Sequence, residues 1–248
     1  MRTYRTFSDD FERTAGQDTP LPDGYRFVRE GVWDRIAAAL VYAAAVVFSP
    51  VYCRVCLHLH IKNRRVLRQV SGGYFLYGNH TQPVGDVFIP GLCALPKRMY
   101  TIVSPANLGI PVIGRLLPAV GALPLPNTAV SMRAFTEAVH TRIAQGHPVT
   151  VFPEAHVWAY YTGIRPFPDG AFRYPCRLGV PTFCMTAVYT RRRWGKRPRM
   201  TVYLDGPFWP DGSLPPRERA AALCEAVHAQ MTARAALSDA RYIEYTQL

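Results

Sequence analysis

Several of the patterns that announce an activity are missing from these 248 residues. No G-x-S-x-G elbow occurs, which excludes the strand-turn-helix presentation of a serine nucleophile. Neither a G-x-x-x-x-G-K-[ST] loop nor a G-x-G-x-x-G following a strand occurs, so the familiar glycine-rich phosphate cradles are excluded too. An H-E-x-x-H helix is also lacking. Cysteine is sparse and scattered. The lone C-x-x-C, Cys53 and Cys56, has no second pair and no histidine pair at zinc-binding distance. The six cysteines are therefore expected to be reduced and structural. The polar residues 1–34 precede the first apolar run, which does not fit a signal peptide, and no internal repeat is visible.

Acidic residues are the scarcest group. There are 17 Asp and Glu against 29 Lys and Arg, a net charge of +12. Residues 1–30 are nearly balanced, with five basic and six acidic residues, so the excess falls on residues 31–248. A field of that sign suits an anionic membrane surface, a phosphate-bearing substrate or nucleic acid. In the most basic run, "RRRWGKRPR" (191–199), Trp194 is the only aromatic residue able to stack on a base. No nucleic-acid partner is expected.

What the sequence does have begins with an uncharged stretch of eighteen residues, Ile36 to Cys53. That length is at the lower edge of what a bilayer requires. Two readings stand: a buried core helix, or a membrane helix that spans or dips into one leaflet. Pro50 is expected to kink or end it. The flank that follows is basic without acids (Arg54, Lys62, Arg64, Arg65, Arg68), which favours a cytoplasmic position for the rest of the chain.

From Gly72 onward, short apolar runs alternate with helical stretches. Residues 74–78, 99–103, 148–152, 182–189 and 201–204 read as strands. Ser131 to Gln145 reads as a helix stopped by Gly146, and Leu223, Val227 and Met231 mark a closing helix. The expected fold is α/β, a mixed and largely parallel sheet flanked by helices, with an N-terminal apolar helix for membrane association. Three regions are expected: a polar segment 1–35, an apolar helix with its basic flank 36–68, and a catalytic domain 69–248.

Two loops past strand ends carry acid–base residues, as functional loops of such sheets do. They are "GNHTQPVGD", with His80 and Asp86, and "FPEAH", with Glu154 and His156. The backbone candidates for oxyanion stabilisation are the N–H groups near His80. A histidine base with an aspartate orienter suits direct attack by a substrate hydroxyl on an activated acyl group. A metal-dependent hydrolase built on His80, Asp86, Glu154 and His156 is one alternative. A non-catalytic protein binding anionic lipid is another.

Four blocks in order resemble the glycerolipid acyltransferases, the 1-acylglycerol-3-phosphate (lysophosphatidic acid) acyltransferases and their relatives. The blocks are "NHTQPVGD", "GIPVIGR" (109–115), "VFPEA" (151–155) and "GVPTFCMTAVY" (179–189), with "IRPFPDGAF" (164–172) linking the last two. The resemblance implies His80 as general base and Asp86 as its partner. It implies acceptor binding by Arg115 and Glu154, with the motif neighbours Asn79, Thr81, Gly109 and Pro153 lining the site. It also implies a groove shaped around Pro181. The acyl donor would be acyl-CoA or acyl-carrier protein, and the acceptor a membrane lysophospholipid. No metal or organic cofactor would be needed.

Two departures from the family pattern are visible. Five residues, not four, separate His80 from Asp86, and Gly85 is expected to absorb the extra one at a positive φ. The third block reads FPEA where FPEG is commoner, and the Thr-Arg pair that often follows is lacking. Arg165 or the basic run 191–199 is expected to supply the missing charge.

Overall fold

The computed structural model describes residues 1–12, 21–22, 24–28 and 31–248. Residues 13–20, 23, 29 and 30 of the polar 1–35 segment lie outside the described residues. The elements in chain order are β1 (Arg2–Tyr4), α1 (Val32–Cys56), β2 (His60–Lys62), β3 (Phe75–Gly78), α2 (Gly85–Ala94), β4 (Tyr100–Val103), α3 (Ile113–Leu116), β5 (Ala122–Pro124), α4 (Ala129–Ala144), β6 (Val149–Val151), α5 (Arg173–Leu178), β7 (Thr182–Thr190), β8 (Arg199–Phe208), α6 (Pro216–Ala235) and β9 (Tyr245–Gln247).

Seven strands form one sheet in the order β2-β8-β7-β3-β6-β4-β5. The pairings β7-β3, β3-β6, β6-β4 and β4-β5 are parallel, and only β7-β8 is antiparallel. The sheet is thus mixed and largely parallel. Alternation along β3 explains the layers, since successive side chains of a strand face opposite ways. Tyr74 and Leu76 join the core beneath α1 and α2, whereas Phe75 and Tyr77 join the core beneath α4 and α6. All four residues of β3 are buried, as expected for a central strand covered on both faces.

The helix α1 runs through Pro50 for six more residues, so the proline does not end it. Packing holds its far half: Phe48 and Tyr52 contact the Phe88 ring of α2, and Ser49 and Cys53 are buried. The other face is bare. Trp33, Ile36, Leu40, Val47, Val51 and Val55 are exposed along one stripe, at the three- and four-residue spacing of a helix face. At about 1.5 Å per residue the helix is ~37 Å long, enough to cross a membrane. A core helix would bury that stripe.

A second, two-stranded sheet was not legible in the sequence. It pairs β1 with β9 in parallel, so the first residues of the polar segment lie against the last strand of the chain. All six cysteines are free. Burial pushes the Cys93 thiol up to about 12 and that of Cys224 up to about 11, which leaves neither as a thiolate nucleophile.

Candidate active site

Because β3, β4, β6 and β7 run parallel, the segments after Gly78, Val103, Val151 and Thr190 all leave the sheet at one edge. The segment after Gly78 carries His80, and the one after Val151 carries Glu154. The segment after Val103 carries the GIPVIGR block.

At the centre of this edge, His80 Nδ1 lies 2.7 Å from Asp86 Oδ2. The same carboxylate oxygen accepts the backbone N–H groups of Thr81 at 3.0 Å and Gln82 at 2.9 Å. With two N–H groups already on that oxygen, Nδ1 is placed to be its third donor, the tautomer that leaves Nε2 as an acceptor. The opposite nitrogen, Nε2, has no protein partner among the described residues. The imidazole stacks on Phe152, with ring centroids 4.4 Å apart, and its side chain is 20% exposed. The result is an oriented, partly exposed histidine whose second nitrogen is left without a protein partner among the described residues.

The longer His80-to-Asp86 spacing is absorbed differently from expectation. Asp86 lies in the first turn of α2, and its carboxylate folds back over the loop. Gly85 does not adopt a positive φ. Space explains the glycine instead: a Cβ there would fall 2.7 Å from Leu57 Cδ1 and 3.0 Å from Gln82 Cβ.

Glu154 and Arg165 are placed behind the site and not in it. Glu154 Oε2 accepts the His80 backbone N–H at 3.0 Å and Arg165 NH2 at 3.1 Å, while Oε1 accepts the Arg165 backbone N–H at 2.9 Å. Their side chains are 0% and 1% exposed. Arg165 also donates to the carbonyls of Phe7 and His156, and its guanidinium lies 4.7 Å over the Trp158 ring. Every oxygen of Glu154 is engaged, and Arg165 supplies no charge to the cleft. Both brace the backbone that holds His80.

Trp158 and Tyr160, to which no motif pointed, and Tyr189, the last residue of the fourth block, complete the brace. Trp158 N–H donates to His80 O, and Tyr160 N–H to Thr81 O, each at 3.0 Å. Thr81 Oγ1 and Gln82 Nε2 meet the buried Tyr189 hydroxyl at 2.8 and 2.9 Å, and burial pushes that phenol up. Asn79 ties β3 to β7 through both polar atoms, to Ala187 O and Ala187 N–H. Trp158 is itself sealed by the chain termini, through Tyr4, Phe11 and the stacked ring of Tyr245. Sequence reasoning missed these bracing contacts because the partners are distant in the chain.

The remaining expected residues fall in three places. Arg115 is exposed at the same edge, on the short helix α3, with no ion-pair partner among the described residues. Gly109 is exposed, with open space where a side chain would be, and Pro153 is buried beneath the Glu154 turn. Pro181 shapes no groove at this edge, because it precedes β7 at the opposite one, where its carbonyl accepts Phe75 N–H. The backbone N–H groups of His80, Thr81 and Gln82 are all taken by carboxylates, so they do not form an oxyanion hole. His156 pairs with Asp10 at 3.4 Å. Among the described residues, no three His, Cys, Asp or Glu side chains are grouped to hold a metal ion.

Residues 58–188, over half of the chain, match the family model for the Acyltransferase family. The chain belongs to this acyltransferase family. Among solved structures it is similar to the 1-acyl-sn-glycerophosphate (LPA) acyltransferase PlsC from Thermotoga maritima. That match has a TM-score of 0.58 and 15% sequence identity, and covers 88% of this chain and 87% of the other. At that identity the likeness establishes a shared fold. No match is found among the curated proteins. Membership places the His80 loop inside the matched region, together with the GIPVIGR and VFPEA blocks.

Proposed function

We propose that this acyltransferase moves a fatty acyl group from acyl-CoA or acyl-carrier protein to the free hydroxyl of a membrane lysophospholipid such as 1-acylglycerol-3-phosphate. One observation carries the reading: the His80–Asp86 pair, in a partly exposed histidine whose Nε2 has no partner among the described residues. Nε2 takes the acceptor's hydroxyl proton as its oxygen attacks the thioester carbonyl. The tetrahedral intermediate collapses, the C–S bond breaks, and the imidazolium returns the proton to the departing thiolate. Asp86 holds the tautomer and offsets the charge on the imidazolium. The thioester supplies the driving force, so the chemistry asks for no organic cofactor.

Membrane delivery of the acceptor fits the course of α1. β2 follows α1 closely and starts at the sheet edge that carries His80, because it runs antiparallel to β7 and β3. The bare apolar stripe of α1 therefore leads to the candidate site. Arg115, exposed and unpaired at that edge, is suited to grip the acceptor's phosphate, since a guanidinium matches two phosphate oxygens at once. The basic residues after α1 favour a cytoplasmic catalytic domain.

The test is a panel of lysophospholipids in mixed micelles, with labelled acyl-CoA or labelled acyl-carrier protein. A diacyl product is expected from the wild-type chain, including after exhaustive chelation, and not from His80→Ala. Hydrolysis of the donor without acyl transfer to any acceptor would refute the reading. Activity lost on chelation would favour the metal-dependent alternative.

A further inference from the structure

The six basic residues of "RRRWGKRPR" remain outside this chemistry, and their place in the fold is specific. β7 extends five residues beyond the level at which Met185 pairs with Gly78, the last residue of β3. Over that stretch the His80 loop and residues 238–240 flank it: Asn79 bonds Ala187, Asp239 N–H donates to Tyr189 O, and Thr186 to Tyr189 stay buried. The connection from Thr190 to Arg199 that follows is a largely exposed hairpin tip at that edge. Trp194 at that tip is 76% exposed, with the Arg193 guanidinium 5.8 Å over its ring.

The tip stands beside the end of α1. β8 starts at Arg199, and β2, which follows α1 after three residues, pairs His60 with Thr201. Burial and the nearby charges of Arg192, Arg197 and Arg199 push the His58 imidazole down. Of the tip's cations, Arg191 is bound to Asp239 through its backbone and side chain. Arg192, Arg193, Lys196 and Arg197 have no ion-pair partner among the described residues. An unpaired cationic loop with one exposed Trp, continuous with the end of an apolar helix, matches the headgroup layer of a bilayer. There, basic side chains meet lipid phosphates and an indole sits at the polar–apolar boundary.

We infer that the β7–β8 hairpin tip is a second membrane contact, which docks the His80 edge onto anionic phospholipid by Arg192, Arg193, Lys196 and Arg197 and inserts Trp194 at the interface. This rests on the proposal that the acceptor is a membrane lipid, and its failure is separable from that of α1 as an anchor. α1's apolar stripe draws the protein to any bilayer, whereas the tip distinguishes anionic from neutral ones.

The experiment measures partitioning of the full chain onto vesicles of phosphatidylcholine alone and of phosphatidylcholine with phosphatidylglycerol. It compares the wild type with the quadruple variant Arg192→Gln, Arg193→Gln, Lys196→Gln, Arg197→Gln. Each basic residue at such a surface is worth about fivefold in affinity. The anionic-to-neutral preference should fall roughly a hundredfold or more at low salt, and less at physiological salt as screening grows. Brominated lipid should quench wild-type fluorescence more than that of Trp194→Phe. Thermal melting of each variant checks that folding is kept. Equal preference in wild type and variant overturns the tip and leaves α1 standing. Binding to anionic vesicles alone, lost in the variant, supports the tip and removes α1 as an anchor. An unchanged preference with a raised KM for acyl-carrier protein assigns the tip to the carrier and overturns the inference.

Discussion

Replacing Glu154 by glutamine separates a brace from a binding residue, because the two roles predict opposite readouts. The family resemblance points to acceptor binding, whereas the geometry points to support. Oε2 faces two donors, the His80 N–H and the Arg165 guanidinium, and Oε1 faces a third, the Arg165 N–H. A glutamine has one oxygen and one NH2. In either orientation its NH2 points at a donor, and the Arg165 charge loses its counter-charge where both side chains are at most 1% exposed. Breaking a buried ion pair from one side costs about 3–5 kcal/mol. For a chain of this size each kcal/mol shifts Tm by roughly 2–4 °C, so a fall of about 6–20 °C is expected in a thermal melt.

Activity should fall in kcat, as the His80 backbone loses its anchor, with the acceptor KM nearly unchanged. The double variant Glu154→Leu/Arg165→Met should regain only part of the stability. It removes both charges but leaves the His80 and Arg165 N–H groups without acceptors, at about 1–3 kcal/mol each. An unchanged Tm with a raised acceptor KM would refute this reasoning and return Glu154 to the substrate.

Three further outcomes are expected. His80→Ala should lower turnover by about a hundred- to ten-thousandfold with little change in Tm, because the ring is partly exposed and its loop is held by backbone contacts; full turnover would make His80 structural. Gly85→Val should destabilise by about 1–3 kcal/mol, read by urea denaturation, since its added carbons meet Leu57 and Ile89; a neutral result would show that the α1–α2 corner yields. Ala155→Gly should raise Tm by roughly 1–3 °C, because Ala155 sits at φ 64° and relief of about 1–2 kcal/mol exceeds the entropy glycine adds to the unfolded chain; a lower Tm would show that the turn is unstrained.

The Ala155 turn shows where sequence reading succeeds and where it stops. The departure from FPEG is visible in the sequence, and its consequence, a left-handed residue without a glycine, is local. The same holds for β3, β4, β6, β7 and the helix ending at Gly146. Each is a short apolar run or a periodic face whose identity depends on neighbouring residues. His80 and Asp86 were legible for that reason, being six residues apart on one loop. Pro50 does not end α1, because its cost is a local quantity, while the packing of Phe48 and Tyr52 against α2 is not. β2 and β5 went unread because β2 has one apolar residue, Ile61, between His60 and Lys62, and β5 ends in Pro124, which reads as a turn signal.

What the sequence hid most completely is the support of the histidine. Glu154 is 74 positions from the His80 N–H it accepts, and Tyr189 lies 108 from the Thr81 hydroxyl it meets. Phe7, whose carbonyl receives Arg165, is 158 positions away from it. None of these contacts follows from spacing, because parallel strands bring distant loops to one edge only after the sheet has assembled. The polar N-terminal residues illustrate the consequence. In sequence they read as a separate polar segment, yet Tyr4, Phe7 and Phe11 pack on Trp158, whose backbone N–H holds the His80 carbonyl. The chain thus runs from this strap through a membrane-sized helix to the sheet edge that carries His80. Fixing the imidazole and leading the apolar helix to it are tasks shared by segments that lie on either side of that helix.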